Sequence, residues 1–125
     1  MTVTDSSHLP QLLDLVHDLW FDIDQLTRSF ADQTIKIYFQ KNSRSFTECL
    51  EDGLLLIIKN VEQLNIKDAE KVGYYDLNEI KYDNATHCLT ITSGIPICIK
   101  IYVSSLDVES RCYVPNVCHD ETKMK

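Results

Sequence analysis

Asp22 and Asp24 stand two residues apart in the stretch FDIDQL, and His17 lies just upstream with Asp14 and Asp18 beside it. Two carboxylates side by side on a strand can hold a divalent cation or divide the work of acid and base. A neighbouring imidazole would complete a His–carboxylate pair. His17, Asp22 and Asp24 are therefore the catalytic candidates of this chain. Against them, the chain repeats the pattern 54 positions later, where YDLNEI at 75–80 follows FDIDQL at 21–26 and Asn78 replaces Asp24. The acid pair survives in only one copy. The other acids flanking His17 fall on the polar side of an amphipathic helix, where solvated carboxylates are ordinary.

The repeat itself is better read as architecture. Beyond the opening residues, Ala31 matches Ala85, Ile35 matches Leu89 and Ile37 matches Ile91, as if one hairpin were used twice. Phe21 and Ile23 are apolar at odd positions while Leu26 is even; Tyr75 and Leu77 are odd while Ile80 and Tyr82 are even. A phase change of this kind requires a β-bulge or a short turn between two strands. An Asp at the change can bond the backbone groups it leaves unpaired.

Other residue types suggest chemistry without completing it. His87–Cys88 and Cys118–His119 are first-choice zinc ligands, but His87 and Cys88, adjacent on a strand, point to opposite faces and cannot both reach one ion without a bend. Cys112, Cys118 and His119 form the one set near the tail that could converge on a metal. Ser93–Gly94 and Cys118–His119 are fragments of a nucleophilic site, with no nucleophile elbow to present them. Three glycines in all make a phosphate-cradling loop hard to build. No cofactor is expected.

The tyrosines point elsewhere. Tyr38 in TIKIYFQK and Tyr102 in GIPICIKIYV fall on the polar faces of alternating stretches, so the expectation is a half-exposed, tyrosine-bearing sheet face. Tyrosine offers contact area at low entropic cost and is enriched in protein interfaces. Trp20, the single tryptophan, is the candidate for lining an apolar ligand pocket between the N-terminal helix and the inward strand residues.

These residues must be positioned by a small set of elements. Leu9, Leu12, Leu13, Val16, Leu19 and Trp20 recur at helical spacing behind the capping residues Asp5, Ser6 and Ser7, with Pro10 in the first turn, predicting a helix over 8–20. Period-two alternation then predicts strands with Ile35, Ile37 and Phe39, with Leu89 and Ile91, and with Ile97, Ile99, Ile101 and Val103 inward. GLLLIIKN is apolar throughout and reads as a central strand covered on both faces, or as the continuation of a short helix begun at SFTECLED. Turn residues separate the runs at 31–33, 41–43, 83–85 and 93–96. The predicted fold is α+β: one helix on a mostly antiparallel sheet of six or seven short strands. Residues 1–125 are expected to form a single domain, frayed at 1–6 and 119–125.

Composition narrows the function. The 125 residues carry a formal charge of −7 with the acids spread along the chain, which disfavours nucleic acid and anionic membrane surfaces as partners. The longest apolar run, LLLII, is far too short to span a bilayer. Five cysteines without a secretory leader suggest reduced thiols and a cytoplasmic location. The expectation is a non-enzymatic module that binds a partner protein or a second copy of itself through Tyr38 and Tyr102. A small apolar-ligand-binding domain is the alternative, and an enzyme using His17, Asp22 and Asp24 comes third.

Overall fold

A computed structural model describes residues 1–40, 53–68 and 71–113. These form two short α-helices and ten strands. In chain order they are β1 (Thr2–Val3), α1 (Leu9–Val16), β2 (Trp20–Asp22), α2 (Ile23–Arg28), β3 (Ile35–Gln40), β4 (Gly53–Ile58) and β5 (Val61–Asp68). There follow β6 (Tyr74–Asp76), β7 (Glu79–Asp83), β8 (Cys88–Thr92), β9 (Ile97–Val103) and β10 (Val108–Tyr113). The class is α+β, as expected, but the strands divide between two antiparallel sheets, ordered β1-β10-β4-β3-β2-β6 and β5-β9-β8-β7.

The N-terminus shows how local chemistry and pairing compete. The Asp5 carboxylate accepts the Ser7 amide at 3.0 Å and starts a 3-10 turn over Ser6–His8, after which Pro10 sits in the first turn of α1. Leu9, Leu12 and Val16 bury the apolar side of the helix, which packs against β7. The helix stops four residues earlier than its periodicity predicts. Asp18 turns to a φ of 68°, its amide donates to Leu77 O at 3.0 Å, and the Leu77 amide donates to Leu19 O at 2.9 Å. Pairing with the second repeat thus draws Trp20 out of helix and into β2. The first residues, expected to fray, are held: β1 pairs with β10, and Val3 is fully buried.

The two sheets are joined by a reciprocal exchange. After the β3–β4 pair, the chain crosses over and β5 pairs with β9; after the β8–β9 pair, it crosses back and β10 pairs with β4. The two crossovers touch. Lys59 N donates to Asp107 O at 2.9 Å, Ser104 N donates to Asn60 O at 2.9 Å, and Asn60 Nδ2 donates to Ser105 Oγ at 2.9 Å. Asn60 does this from a φ of 60°, a region that asparagine tolerates better than most residues. Each half of the chain therefore completes the sheet of the other.

The inward positions agree with the alternation. Ile35, Ile37, Phe39, Leu56 and Ile58 of the larger sheet meet Leu89, Ile91, Ile99, Ile101 and Val103 of the smaller one in a single core. With both inner faces in that core, the outer faces of the sheets look away from each other. β4 lies between β3 and β10, the central place its continuous apolar run predicts. The expected turns at 31–33, 83–85 and 93–96 are present: Asp32 and Gln33 take φ values of 53° and 59°, and Asp83 Oδ1 accepts the Ala85 amide at 2.8 Å. The turn at 41–43, the short helix at 45–52 and the tail from 119 lie outside the described residues.

The repeat has a direct structural expression. β2 and β6 are antiparallel neighbours, with Phe21 opposite Tyr75. The two copies part immediately afterwards. After Asp22 the first copy enters α2; after Asp76 the second breaks for two residues and resumes as β7. The phase change is therefore a strand-to-helix junction in one copy and a short break between strands in the other. No bulge is involved.

Candidate binding faces and a polar cleft

Asp22 ends β2 and caps α2. Its Oδ1 accepts the amides of Asp24 at 2.8 Å and Gln25 at 3.3 Å, as expected of an N-cap aspartate. Asp24 lies exposed in the first turn of α2, where its charge favours the helix N-terminus. The two acids are thus not neighbours on one strand. His17 sits 3.2 Å from Asp18 at the surface, and neither hydrogen bond nor ion pair joins it to Asp22 or Asp24. Asp76, the counterpart of Asp22, accepts the Ser93 hydroxyl and, at 3.2 Å, the Gly94 amide, so it ties down the β8–β9 turn. Both repeat aspartates hold backbone.

The cysteines are dispersed. Cys88 is buried at the start of β8, Cys98 is half-buried on β9 and Cys112 is exposed on β10. Cys118 and His119, the other members of the candidate metal set, lie outside the described residues. Among the described residues, no group of three His, Cys, Asp or Glu side chains is placed to hold a metal ion.

Tyr38 and Tyr102 do not share a face. Tyr38 lies on β3, opposite Leu55 on the outer side of the six-stranded sheet; Tyr102 lies on β9, between Gln63 and Cys88 on the outer side of the four-stranded sheet. Strand parity places each tyrosine outward correctly, but the two strands belong to different sheets. Trp20 also departs from expectation. Phe21 is the inward residue of β2, so Trp20 turns outward opposite Gln40 and Asp76, away from the space beside α1. Leu9, Leu12 and Val16 fill that space.

The outer side of the four-stranded sheet carries three cross-strand rows. They run Gln63–Tyr102–Cys88–Asp83, Asn65–Lys100–Thr90–Lys81 and Lys67–Cys98–Thr92–Glu79. Tyr102 and Cys98 are half-buried, while Gln63, Asn65, Lys67 and Lys100 are exposed. A shallow dimple of about 70 Å³ lies among Asn65, Lys67, Cys98, Lys100 and Tyr102. β5 forms one edge of this sheet, eight residues long, with a register break between Val61 and Gln63. The opposite edge, β7, is backed by α1. Neither Lys67 nor Lys100 takes part in an ion pair among the described residues, whereas Lys81 reaches Glu79 at 3.6 Å.

A second concavity lies where segments distant in the sequence meet. The β7–β8 turn, the β9–β10 crossover and the N-terminal segment enclose a polar cleft of about 560 Å³, lined by Asp5, Asn84, His87, Ser104 and Ser105 among others. Tyr82 Oη and His87 Nδ1 share a hydrogen bond at 3.1 Å, and His87 adopts a φ of 54°. One imidazole nitrogen is thereby held. Three segments far apart in sequence build this cleft, and no local motif announces it.

One buried ionisable group belongs to the repeat. Tyr75 is fully buried, and its hydroxyl donates to the Asp68 carboxylate and accepts the Val72 amide at 3.2 Å. Burial, and then the bond to Asp68, push the Tyr75 phenol above its ordinary range. No helix among the described residues is long and apolar enough to cross a membrane. Compared with known proteins, the chain matches no family model, no curated protein and no solved structure.

Proposed function

We propose that this protein is a non-enzymatic interaction module that binds another protein through the outer face of its four-stranded sheet. The observation that carries the reading is the Tyr102 row. A half-buried tyrosine stands on an inner strand of a solvent-facing sheet, between Gln63 and Cys88 and next to Lys100, with the acids Glu62 and Asp83 toward the two edges. Tyrosine in such a place presents a rigid apolar body and a polar tip to a partner, the combination favoured at interface centres. Of the two acids that looked catalytic, Asp22 is engaged in capping and Asp24 points to solvent one turn on, which supports a binding role over a chemical one.

Because Tyr38 and Tyr102 lie on opposite sides of the molecule, they are tested separately. Native mass spectrometry of the protein purified gently from its own host should show an added chain in the wild type. That species should be lost with Tyr102→Ser and retained with Tyr38→Ser. Retention with Tyr102→Ser, or a wild-type spectrum showing only small-molecule adducts, would defeat the proposal.

A further inference from the structure

The face just described has a feature that its tyrosine does not explain. On β5 and β9 the outward positions beyond the register break carry Lys67 and Lys100, and the one exposed acid of β5, Glu62, lies in the break at the far end, in a chain whose overall charge is −7. The two lysines flank Asn65, whose short side chain leaves the dimple between them. β5 is the long edge of the sheet, and an edge strand presents a row of unpaired N–H and C=O groups to any extended chain that approaches. On the inner side of the same strand, Leu64 and Ile66 are only half-buried.

From these observations we infer that the partner contributes an extended segment alternating apolar and acidic residues, which pairs antiparallel with β5 as a fifth strand. The inference rests on the proposed binding face and specifies its partner. Strand addition satisfies the free edge through main-chain bonds and leaves specificity to alternate side chains. Neighbouring strands lie about 4.8 Å apart. A glutamate placed opposite Asn65 therefore reaches over it to lie between the Lys67 and Lys100 ammonium groups. The residues on either side of that glutamate turn inward and cover Leu64 and Ile66. The register break at Val61 and Gln63 limits the pairing at one end.

A second copy of this chain fits less well. β5 carries Gln63, Asn65 and Lys67 outward, and its one exposed carboxylate, Glu62, sits in the register break, where regular pairing stops. Nor does the overall negative charge prevent docking of an acidic strand. At physiological salt, exposed charges are screened beyond roughly 8 Å, so the local lysines decide the contact.

The test uses amide-resolved NMR on the full chain, titrated with an acetylated heptapeptide alternating valine and glutamate. Its controls are the valine–lysine counterpart and a valine–glutamate peptide N-methylated at alternate amides. The inference expects shifts confined to β5 and β9 with the acidic peptide and none with either control. It also expects at least a tenfold loss of affinity, about the scale of one charge-assisted hydrogen bond, in Lys67→Glu/Lys100→Glu protein whose spectrum remains folded. Equal binding of the lysine peptide or of the N-methylated peptide would overturn it. Shifts centred on β7 or the six-stranded sheet would do the same, as would a free protein already dimeric through β5. A natural partner lost with Tyr102→Ser but kept by the double lysine variant would remove this inference and leave the binding face standing.

Discussion

Phe21 and Tyr75 occupy the same place in two copies of one motif, and they face each other across the β2–β6 pair with ring centroids 6.2 Å apart. Phe39 meets Phe21 edge-on at 5.6 Å, so three aromatic rings close the core where the two halves meet. Phe21→Ala should cost about 3–5 kcal/mol, the range for deleting a well-packed aromatic side chain. Urea denaturation gives the value directly. A loss under about 1 kcal/mol would mean that the aromatic contact is not central to stability.

Tyr75 adds a pH dependence. Its pKa in the folded protein is raised above that of the unfolded chain, so the protonated phenol favours folding. That contribution is fully present below about pH 10, the ordinary tyrosine range, and is lost as pH rises through the higher folded value. Stability should therefore fall in alkali more steeply for the wild type than for Tyr75→Phe. The variant should also lose about 1–2 kcal/mol at neutral pH, because the Val72 amide and Asp68 carboxylate lose their partner.

Asp22 separates a cap from an acid. Asparagine caps helices about as well as aspartate, so Asp22→Asn should leave stability within a few tenths of a kcal/mol, while Asp22→Ala should cost about 1 kcal/mol. Thermal unfolding of both variants checks this. A biological loss in Asp22→Asn protein of normal stability would point instead to a chemical role for the carboxylate.

Asn60 joins the two crossovers through its side chain while holding a left-handed backbone. Asn60→Ala removes the bond and introduces strain, for about 1–3 kcal/mol in total, and Asn60→Gly should recover the part due to strain. If the two substitutions are equal in denaturant midpoint, backbone conformation is not the source of the cost.

Strand membership was legible in the sequence wherever a strand is covered on one face. Ile35–Ile37–Phe39 and Ile97–Ile99–Ile101–Val103 alternate without interruption, and all seven side chains are buried. β5 is not legible in the sequence because an edge strand has less to bury. Its inward Leu64 and Ile66 are flanked by Gln63, Asn65 and Lys67, and alternation over so few apolar residues is faint. α2 is six residues long, too short for helical periodicity to declare itself against the strand before it. Sheet membership was not legible at all. Parity sends Tyr38 and Tyr102 outward, but hairpins reveal which strands are neighbours and not which sheet a strand joins after a crossover. The Asp5, His87 and Ser104 cleft was hidden for the same reason, since it exists only where distant turns meet.

The exchange of β5 and β10 between the sheets also constrains the order of events in folding. A chain ending at Asp68 would hold β3 and β4 without β10, and β5 without β9, leaving exposed edges on which to aggregate. Ordering must wait until residues 108–113 are available to close the first sheet, across long stretches of intervening chain. Such non-local pairing slows folding, and a newly made chain keeps the β4 edge of its first sheet open until residues 108–113 have been added.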